Sequence, residues 1–376
     1  MRRSWRIVAL LALVSVLWAL PIGADPARAD VRPGAVVELS PLPADLWLPG
    51  TGSAHRMTYV TIDRRGPTEC TGMLFVPPGP APPGGRPVIA WAHGTVGNSD
   101  HDAPSVTGVN DGNAAYVSGW LRRGYAVVAT DYVGLGTPEI PPYLDGKVAG
   151  RSVIDSVRAA REIDPGLSPA WAAVGLSQGG QAAVFAAHAA TGYAPELDYR
   201  GAVASGVPSN IETLAPWGGP WFPPQGLAGL TVYMSYLIAG LRDAYPELMV
   251  DRYLTPLGKQ LVDSAPDLPF REFADRTRGV AVSQMLARSL DVPELQAALR
   301  EYLEVPVAGY DRPLMIAQGI TDASVPIPLT EKLVGDMRRS GTQPDYRVYP
   351  GGHQSGMYQA EPDQWAFVDA LFRSAN

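Results

Sequence analysis

The stretch Trp171-Ala-Ala-Val-Gly-Leu-Ser-Gln-Gly-Gly180 decides the fold, because it joins an apolar strand to a helix through a glycine-rich turn. Trp171–Val174 is a short apolar run of the kind found in buried parallel strands. Gln178–Ala190 is a run of small residues that predicts a helix. The turn between them has the pattern G-x-S-x-G, in which a sharp bend lifts a serine hydroxyl above a sheet. Ser177 is therefore the candidate nucleophile.

The same alternation of strands and helices continues on both sides of this segment. Apolar runs predict strands at Arg86–Ala92, Tyr125–Thr130, Arg200–Ala204, Leu314–Ala317 and Tyr346–Tyr349, and a hairpin at Met57–Ile62 and Gly72–Val76. Helical patterns occur at Tyr116–Arg123, Arg151–Ile163, Leu329–Ser340 and Pro362–Arg373. Repeated βα units imply parallel strands covered by helices on both faces. We therefore expect an α/β fold with a mostly parallel sheet.

The alternation is interrupted once, between about 209 and 309. Helical patterns occur there near 228–245, 255–263, 280–290 and 293–303, without strand patterns between them. Strands and helices then alternate again up to the last helix. We expect an α/β core formed by residues 30–208 and 310–376, with a helical cap inserted at 209–309.

The N-terminal 29 residues have the pattern of a signal peptide. Arg2, Arg3 and Arg6 precede an apolar run, and small residues follow it up to Ala27-Arg28-Ala29. We expect export of the chain and cleavage near Ala29. The alternative is a retained membrane anchor, for which the apolar run is short.

Composition excludes a disordered chain, a coiled coil and a collagen-like repeat. The chain has 376 residues, 46% of them hydrophobic and 18% charged, which suits a globular protein with a large core. Its net charge is −7, and it becomes −10 once residues 1–29 are removed. Nucleic acid is therefore not an expected partner. Cys70 is the single cysteine, so an intrachain disulfide is impossible, and we expect it to be a structural residue.

A serine nucleophile needs a base, and the base needs an acid that orients it. In proteins with this elbow the chain order is serine, acid, histidine. Of the two histidines after Ser177, His188 lies about three turns along the same helix, whereas His353 follows a strand in a Gly-rich loop. His353 is therefore the predicted base. Asp322, shortly after the strand at 314–317, is the predicted acid, and Asp345 is the alternative.

Backbone N–H groups are needed to stabilise the oxyanion that forms when the serine attacks a carbonyl. The residue after the nucleophile, Gln178, is expected to supply one of them. The residues leave two options for the other: the loop containing Gly94 and Thr95, or Asp131 at the end of the next strand.

No metal or cofactor is expected from the sequence. His93, Asp100, His101 and Asp102 lie close together, but their spacing matches no known metal-binding motif. They are interpreted as polar loop residues. No P-loop, dinucleotide-binding glycine pattern or C-x-x-C motif is present.

Taken together, five segments resemble the secretory lipase family of α/β-hydrolases. They are Ala90-Trp-Ala-His-Gly-Thr95, Ala129-Thr-Asp-Tyr-Val-Gly-Leu-Gly136, Ser177-Gln-Gly-Gly180 and the stretches around Asp322 and His353. The resemblance covers about Trp47 to Phe372. It implies an α/β-hydrolase fold and a serine ester hydrolase that acts on acylglycerols or other esters under a helical cap. It also favours the backbone N–H of Asp131 as the second oxyanion donor.

Three points stay open at this level. The apolar stretch Leu227–Leu241 is either a buried cap helix or the wall of an acyl pocket and a lid that contacts lipid. A secreted serine peptidase of the same fold is an alternative function. It would need a cap motif that binds the amine of a peptide, and no such motif is seen, although Glu294 and Glu301 are present. A non-catalytic binding protein is a further alternative, but such a protein would normally lack one member of the triad.

Overall fold

The computed structural model describes residues 31–223 and 229–373. The predicted signal peptide and its cleavage site lie outside these residues. None of the helices in the described ranges has the length and apolar character needed to cross a membrane.

One sheet organises the described residues, with nine strands in the order β1-β2-β3-β5-β4-β6-β7-β8-β9. The strands are β1 (Val36–Pro41), β2 (Ser53–Ile62), β3 (Pro67–Val76), β4 (Arg86–Ala92), β5 (Ala126–Thr130), β6 (Leu167–Leu176), β7 (Asp198–Ser205), β8 (Leu314–Gly319) and β9 (Asp345–Tyr349). Strands β1, β2 and β3 run antiparallel to their neighbours, and every pair from β5 to β9 is parallel. The predicted mostly parallel sheet is confirmed.

Helices cover both faces of this sheet. The α-helices are α1 (Pro104–Thr107), α2 (Asp111–Arg122), α3 (Gly146–Ile163), α4 (Gln178–Tyr193), α5 (Leu230–Ala244), α6 (Pro256–Ser264), α7 (Phe270–Thr277), α8 (Val282–Met285), α9 (Pro293–Leu303), α10 (Ile327–Arg339) and α11 (His353–Arg373). Because side chains alternate along a strand, Val88 and Ala90 of β4 face a core with α3, α4 and α10. Ile89 and Trp91 face the opposite core with α2 and α11.

Between β7 and β8 lies the segment predicted as an insertion, of which the structure describes residues 209–223 and 229–309; we call it the cap. Its described part contains α5 to α9 and no strand beyond a single bridge between Leu254 and Leu286. It has its own apolar core, which also takes in Tyr143 from the loop after β5. The predicted helix at 280–290 is wrong, because only Val282–Met285 is helical and Leu286 is extended in the bridge to Leu254.

The last helix differs from the prediction at its beginning. It was expected to begin at Pro362, with His353 in a preceding loop, but α11 begins at His353 and Pro362 lies within it. Proline usually ends a helix because it lacks an N–H group and its ring crowds the preceding turn. Here Met357 and Val368, on either side of the proline, are both buried in the same core, so packing against the sheet outweighs that cost.

The tip of the β2–β3 hairpin joins the core to the cap. Arg64 pairs there with the buried carboxylate of Asp145, which caps the N-terminus of α3. The same guanidinium contacts Glu301 of α9 at 3.0 Å and the hydroxyl of Tyr245 at 2.6 Å. A second link is made by Asp102, whose carboxylate accepts the backbone N–H of Phe270 at 2.9 Å. The cap is therefore attached through charged contacts as well as through its two chain connections.

Candidate active site

Ser177 lies at a strained turn between the end of β6 and the start of α4. Its backbone has φ 59° and ψ −123°, a conformation that a residue with a side chain rarely adopts. Glycines on both sides allow the bend. A Cβ atom on Gly175 would overlap the carbonyl group of Gly179, and one on Gly179 would overlap the carbonyl group of Ala92. The G-x-S-x-G pattern is thus explained by close approach of backbones.

His353 and Asp322 form a hydrogen-bonded pair. The imidazole Nδ1 lies 2.7 Å from Oδ2 of Asp322. The other carboxylate oxygen accepts the backbone N–H groups of Ser324 and Val325, both at 2.8 Å. Burial alone would raise the pKa of Asp322, but the bonds from His353 and from the two N–H groups hold that pKa below its ordinary value. The carboxylate is therefore ionised and fixed in position.

The β7 strand end brings this pair close to the elbow. The N–H of Ser177 donates to the carbonyl of Ser205 at 2.8 Å. The next residue, Gly206, has φ 54°, and a Cβ on it would lie 2.9 Å from Cε1 of His353 and 3.4 Å from Oδ2 of Asp322. Among the described residues, no hydrogen bond joins the Ser177 hydroxyl to His353. Such bonds often form only once substrate is bound.

Two backbone N–H groups near Ser177 are free. Gln178 is the first residue of α4, so its N–H has no partner within that helix. Gly94 follows β4, and a Cβ on it would lie 3.5 Å from Cβ of Ser177. Within residues 31–223 and 229–373, neither N–H has a protein acceptor. Both are available to an oxyanion.

The structure contradicts the choice of Asp131 as the second donor. Its N–H donates to the carbonyl of Thr71 at 2.9 Å, which extends the pairing of β3 with β5. The side chain is fully buried and accepts from the N–H of Ser105 at 3.1 Å and from the Thr71 hydroxyl at 2.7 Å. Burial raises the pKa of Asp131. The side chain therefore ties the end of β5 to β3 and to Ser105, and the backbone carbonyl of Asp131 supports the loop after β4 by lying 3.4 Å from Nε2 of His93.

His93 holds the backbone of the Gly94 loop. The imidazole is buried, and its Nδ1 lies 2.7 Å from the carbonyl oxygen of Gly94. The hydroxyl of Tyr132 donates to the carbonyl of His93 at 2.9 Å. Burial lowers the pKa of His93, which favours the neutral ring. Thr95, the other residue of this loop, bonds the Tyr143 hydroxyl through its side chain at 2.7 Å.

The remaining candidates lie elsewhere. Asp345 pairs with Arg347 at 2.8 Å and does not contact His353. His188 packs on the ring of Tyr310 near the end of α4. No group of histidine, cysteine and acidic side chains within the described residues is arranged to hold a metal ion.

A large apolar cavity lies inside the cap. Its volume is about 810 Å³, and its walls include Met234, Leu237 and Ile238 of α5. Trp217 and Trp221 are also part of its lining and are 71% and 64% exposed, so they mark its opening to solvent. Burial, and to a lesser degree the negative charge of Asp322, raises the pKa of the neighbouring Tyr233.

Sequence reasoning missed two features of this site. Gln318, the fifth residue of β8, is buried and contacts Asp322 through its side-chain amide. Gly206 leaves the space that the imidazole of His353 occupies. A polar residue within the apolar run Leu314-Met-Ile-Ala-Gln318 was the available signal for the first. The second could not be found without the fold.

Comparison with known proteins shows which family the chain resembles. The profile of the family described as "Secretory lipase" matches residues 101–343, a range that includes Ser177 and Asp322. "Lipase A" of Moesziomyces aphidis is 24% identical over 314 residues, which is 78% of this chain and 63% of that protein. The chain thus spans less than two thirds of the length of this relative. A Mycobacterium tuberculosis protein named "Probable inactive lipase MT1628" is 25% identical over 326 residues, 80% of this chain and 69% of that protein.

The fold is also found among solved structures. Lipase A of Candida antarctica superposes with a TM-score of 0.76 at 20% sequence identity, covering 92% of this chain and 83% of that one. The described residues of this chain thus have the α/β-hydrolase fold, as their sheet order and the turn at Ser177 also indicate. Since the family profile covers well over half of the sequence, the chain belongs to the secretory lipase family.

Proposed function

We propose that this protein is a serine carboxylic-ester hydrolase that cleaves acylglycerols or related esters through an acyl-enzyme intermediate. The observation that carries the proposal is the His353–Asp322 pair at 2.7 Å beside the strained turn of Ser177. A base that an ionised acid orients, next to a serine at the start of a helix, is the arrangement that activates a hydroxyl for attack on a carbonyl.

Each residue then has a defined role. The Nε2 atom of His353 accepts the proton of Ser177 as its Oγ attacks the ester carbon, and later returns that proton to the leaving alcohol. Asp322 keeps the proton of the imidazole on Nδ1 and stabilises the imidazolium that forms. The N–H groups of Gln178 and Gly94 bind the oxyanion. In the second half of the reaction, His353 accepts a proton from a water molecule as that water attacks the acyl carbon. The imidazole then gives the proton to Oγ of Ser177, which releases the carboxylic acid.

The cap favours a substrate with an apolar acyl chain that the protein takes from a lipid surface. Its cavity of about 810 Å³ is large enough for a long acyl chain and is lined almost entirely by apolar side chains. From Thr213 to Leu241 the sequence contains no charged residue, and this uncharged stretch carries the exposed Trp217 and Trp221. Amphipathic aromatic side chains at the mouth of an apolar cavity suit the boundary between lipid and water.

The catalytic part of the proposal is tested with the Ser177→Ala variant. Wild-type protein should hydrolyse p-nitrophenyl esters and be labelled on Ser177 by a fluorophosphonate, whereas the variant should do neither. Loss of a triad nucleophile costs on the order of 10⁶ in kcat, so a variant that retains more than about 1% of the activity contradicts the triad. A parallel panel of aminoacyl anilides separates an esterase from a peptidase.

The cap is tested with two changes of its apolar surface. Met234→Trp should fill part of the cavity and lower kcat/KM for long-chain esters while leaving acetate esters unaffected. A Trp217→Ser/Trp221→Ser double variant should lose activity on emulsified triacylglycerol but keep it on a dissolved short ester. Met249→Ser is the matched control, because Met249 is 61% exposed in the same cap without lining the cavity. If Met249→Ser lowered activity on emulsified triacylglycerol as much as the double variant does, the tryptophans at the cavity mouth would have no special role in contact with lipid.

Export belongs to the same proposal. A signal peptide cleaved near Ala29 predicts that protein recovered from the culture medium begins close to residue 30. N-terminal sequencing of that protein measures this directly, and a chain that still starts at Met1 would favour the retained anchor.

A further inference from the structure

We propose that Gln318 is a positioning residue of the reaction, whose side-chain amide holds the carboxylate of Asp322 in the orientation that His353 requires. This inference rests on the proposed function. It concerns a residue that touches neither substrate nor reacting atoms and acts through the acid.

Gln318 is enclosed and completely bonded. Its side chain is 1% exposed at the end of β8. The amide nitrogen donates to the carbonyl of Val325 at 3.0 Å and to Oδ2 of Asp322 at 3.3 Å, and lies 3.2 Å from the carbonyl of Gly319. The amide oxygen accepts the hydroxyl of Thr330 at 2.7 Å, and Thr330 is itself fully buried. The amide therefore joins the strand end, the loop that carries the acid, and α10.

The chemistry around the amide determines which way it faces. On its nitrogen side lie two carbonyl oxygens and a carboxylate, all of which only accept hydrogen bonds. Turning the amide over would place its oxygen against these three acceptors, whereas Thr330 can donate only to the oxygen side. The amide nitrogen of Gln318 must therefore face Asp322 and the two carbonyls, which share its two N–H donors.

The bond from Gln318 reaches the carboxylate oxygen that matters for catalysis. Oδ1 of Asp322 takes two backbone N–H groups, whereas Oδ2 takes the imidazole of His353 at 2.7 Å. Among the described residues, Gln318 and His353 are the two side chains that donate to this carboxylate. The amide thus adds a second fixed contact to Oδ2, which limits rotation of the carboxylate, and shares the charge on Oδ2 with the imidazole.

A methionine at this position has nearly the same shape but no donor. In Gln318→Met, kcat should fall roughly tenfold with KM nearly unchanged, because the carboxylate loses the donor that fixes its plane and no longer holds the imidazole in the productive orientation. Because Oδ2 then carries more of its charge, it should hold the imidazolium of His353 more strongly. The acid limb of the kcat/KM profile should therefore move to higher pH. The titratable group in contact with Asp322 is His353 from α11, and Tyr233 from α5 interacts with its charge; the substitution changes neither.

Thr330→Val is the matched control. It removes the hydroxyl that binds the amide oxygen but leaves the donor to Asp322 in place. We expect lower thermal stability with an unmoved acid limb. Rates are normalised to active sites counted with a fluorophosphonate, so that unfolded protein does not imitate a catalytic loss, and Gln318→Leu serves as a second variant if the methionine form is unstable.

A second measurement does not depend on turnover. The low-field proton resonance of the Nδ1–H of His353 reports its bond to Asp322, and it should shift in Gln318→Met but not in Thr330→Val. An unchanged resonance together with a wild-type acid limb in Gln318→Met would overturn the positioning role. Wild-type protein without any esterase activity would instead reject the proposed function, while the resonance would still show whether Gln318 acts on the pair.

Discussion

Replacing Asp322 by asparagine tests the acid most sharply, because the surroundings determine how the new amide sits. The two N–H groups of Ser324 and Val325, both 2.8 Å from Oδ1, require an acceptor. The amide oxygen of asparagine must therefore take the place of Oδ1, and its NH₂ group must face Nδ1 of His353. A donor in that position forces the proton of the imidazole onto Nε2, the atom that has to accept the proton of Ser177.

The expected loss follows from this change of tautomer. The comparable substitution in a serine triad lowers kcat by on the order of 10⁴, which corresponds to about 5.5 kcal/mol of transition-state stabilisation. The two backbone N–H contacts survive. The contact of Gln318 with Oδ2 is lost, but its amide nitrogen keeps the carbonyls of Val325 and Gly319 as acceptors, so we expect the fold and KM to change little. The loss should appear almost wholly in kcat.

The assay is the hydrolysis of a short p-nitrophenyl ester, with kcat and KM measured separately. Asp345→Asn is the control, since Asp345 pairs with Arg347 and lies apart from His353. We expect it to retain wild-type kcat. If Asp322→Asn kept more than about a tenth of the activity, or if Asp345→Asn were the crippling change, the assignment of the acid would be refuted.

Three further changes probe the surrounding structure. Asp131→Asn should keep kcat within about tenfold of wild type, because the residue supports the Gly94 loop and its N–H is bound to Thr71; a loss as large as that of a triad member in steady-state kinetics would contradict this. Gly179→Ala should lower the free energy of unfolding by about 3 kcal/mol or prevent folding, since its Cβ would overlap the carbonyl of Ala92, and urea unfolding measures the effect. Burial raises the pKa of Asp155 to about 6 despite its bond to Arg158, so the folded state binds more protons there than the unfolded state. Relative to Asp155→Asn, the wild type should therefore be most stable below about pH 4 and lose that stability as pH rises through about 6; parallel urea-unfolding curves at every pH would contradict it.

The parts of the fold that follow strong local patterns were predictable from the sequence. Strand β4 was expected at Arg86–Ala92 and is found there, because a continuous apolar run in a parallel sheet has few alternatives. Edge strand β1 was not predicted. Several of its side chains, among them Val37 and Leu39, are exposed, so the buried face that would have marked it as a strand is lacking. Helix α11 was predicted too short because Pro362 has a strong local effect that tertiary packing overrides.

The candidate site also contains some residues that the sequence predicts and others that it does not. Ser177, Asp322 and His353 could be predicted as a triad because their order and their positions after strands follow from the fold class. The donor near Ser177 was misassigned to Asp131, since a sequence cannot show that a backbone N–H is already bound by the neighbouring strand. The role of Gln318 depends on a loop that turns back over its own strand, which no periodicity reports.

The single cysteine has a practical consequence for studying the cap. Cys70 is fully buried, and burial raises the pKa of its thiol to about 12, so it should not react with maleimides in the native protein. A cysteine introduced at an exposed position would then be the only reactive thiol. A fluorophore attached at position 217, at the cavity mouth, could report contact with a lipid droplet in real time, without the removal of any native residue elsewhere.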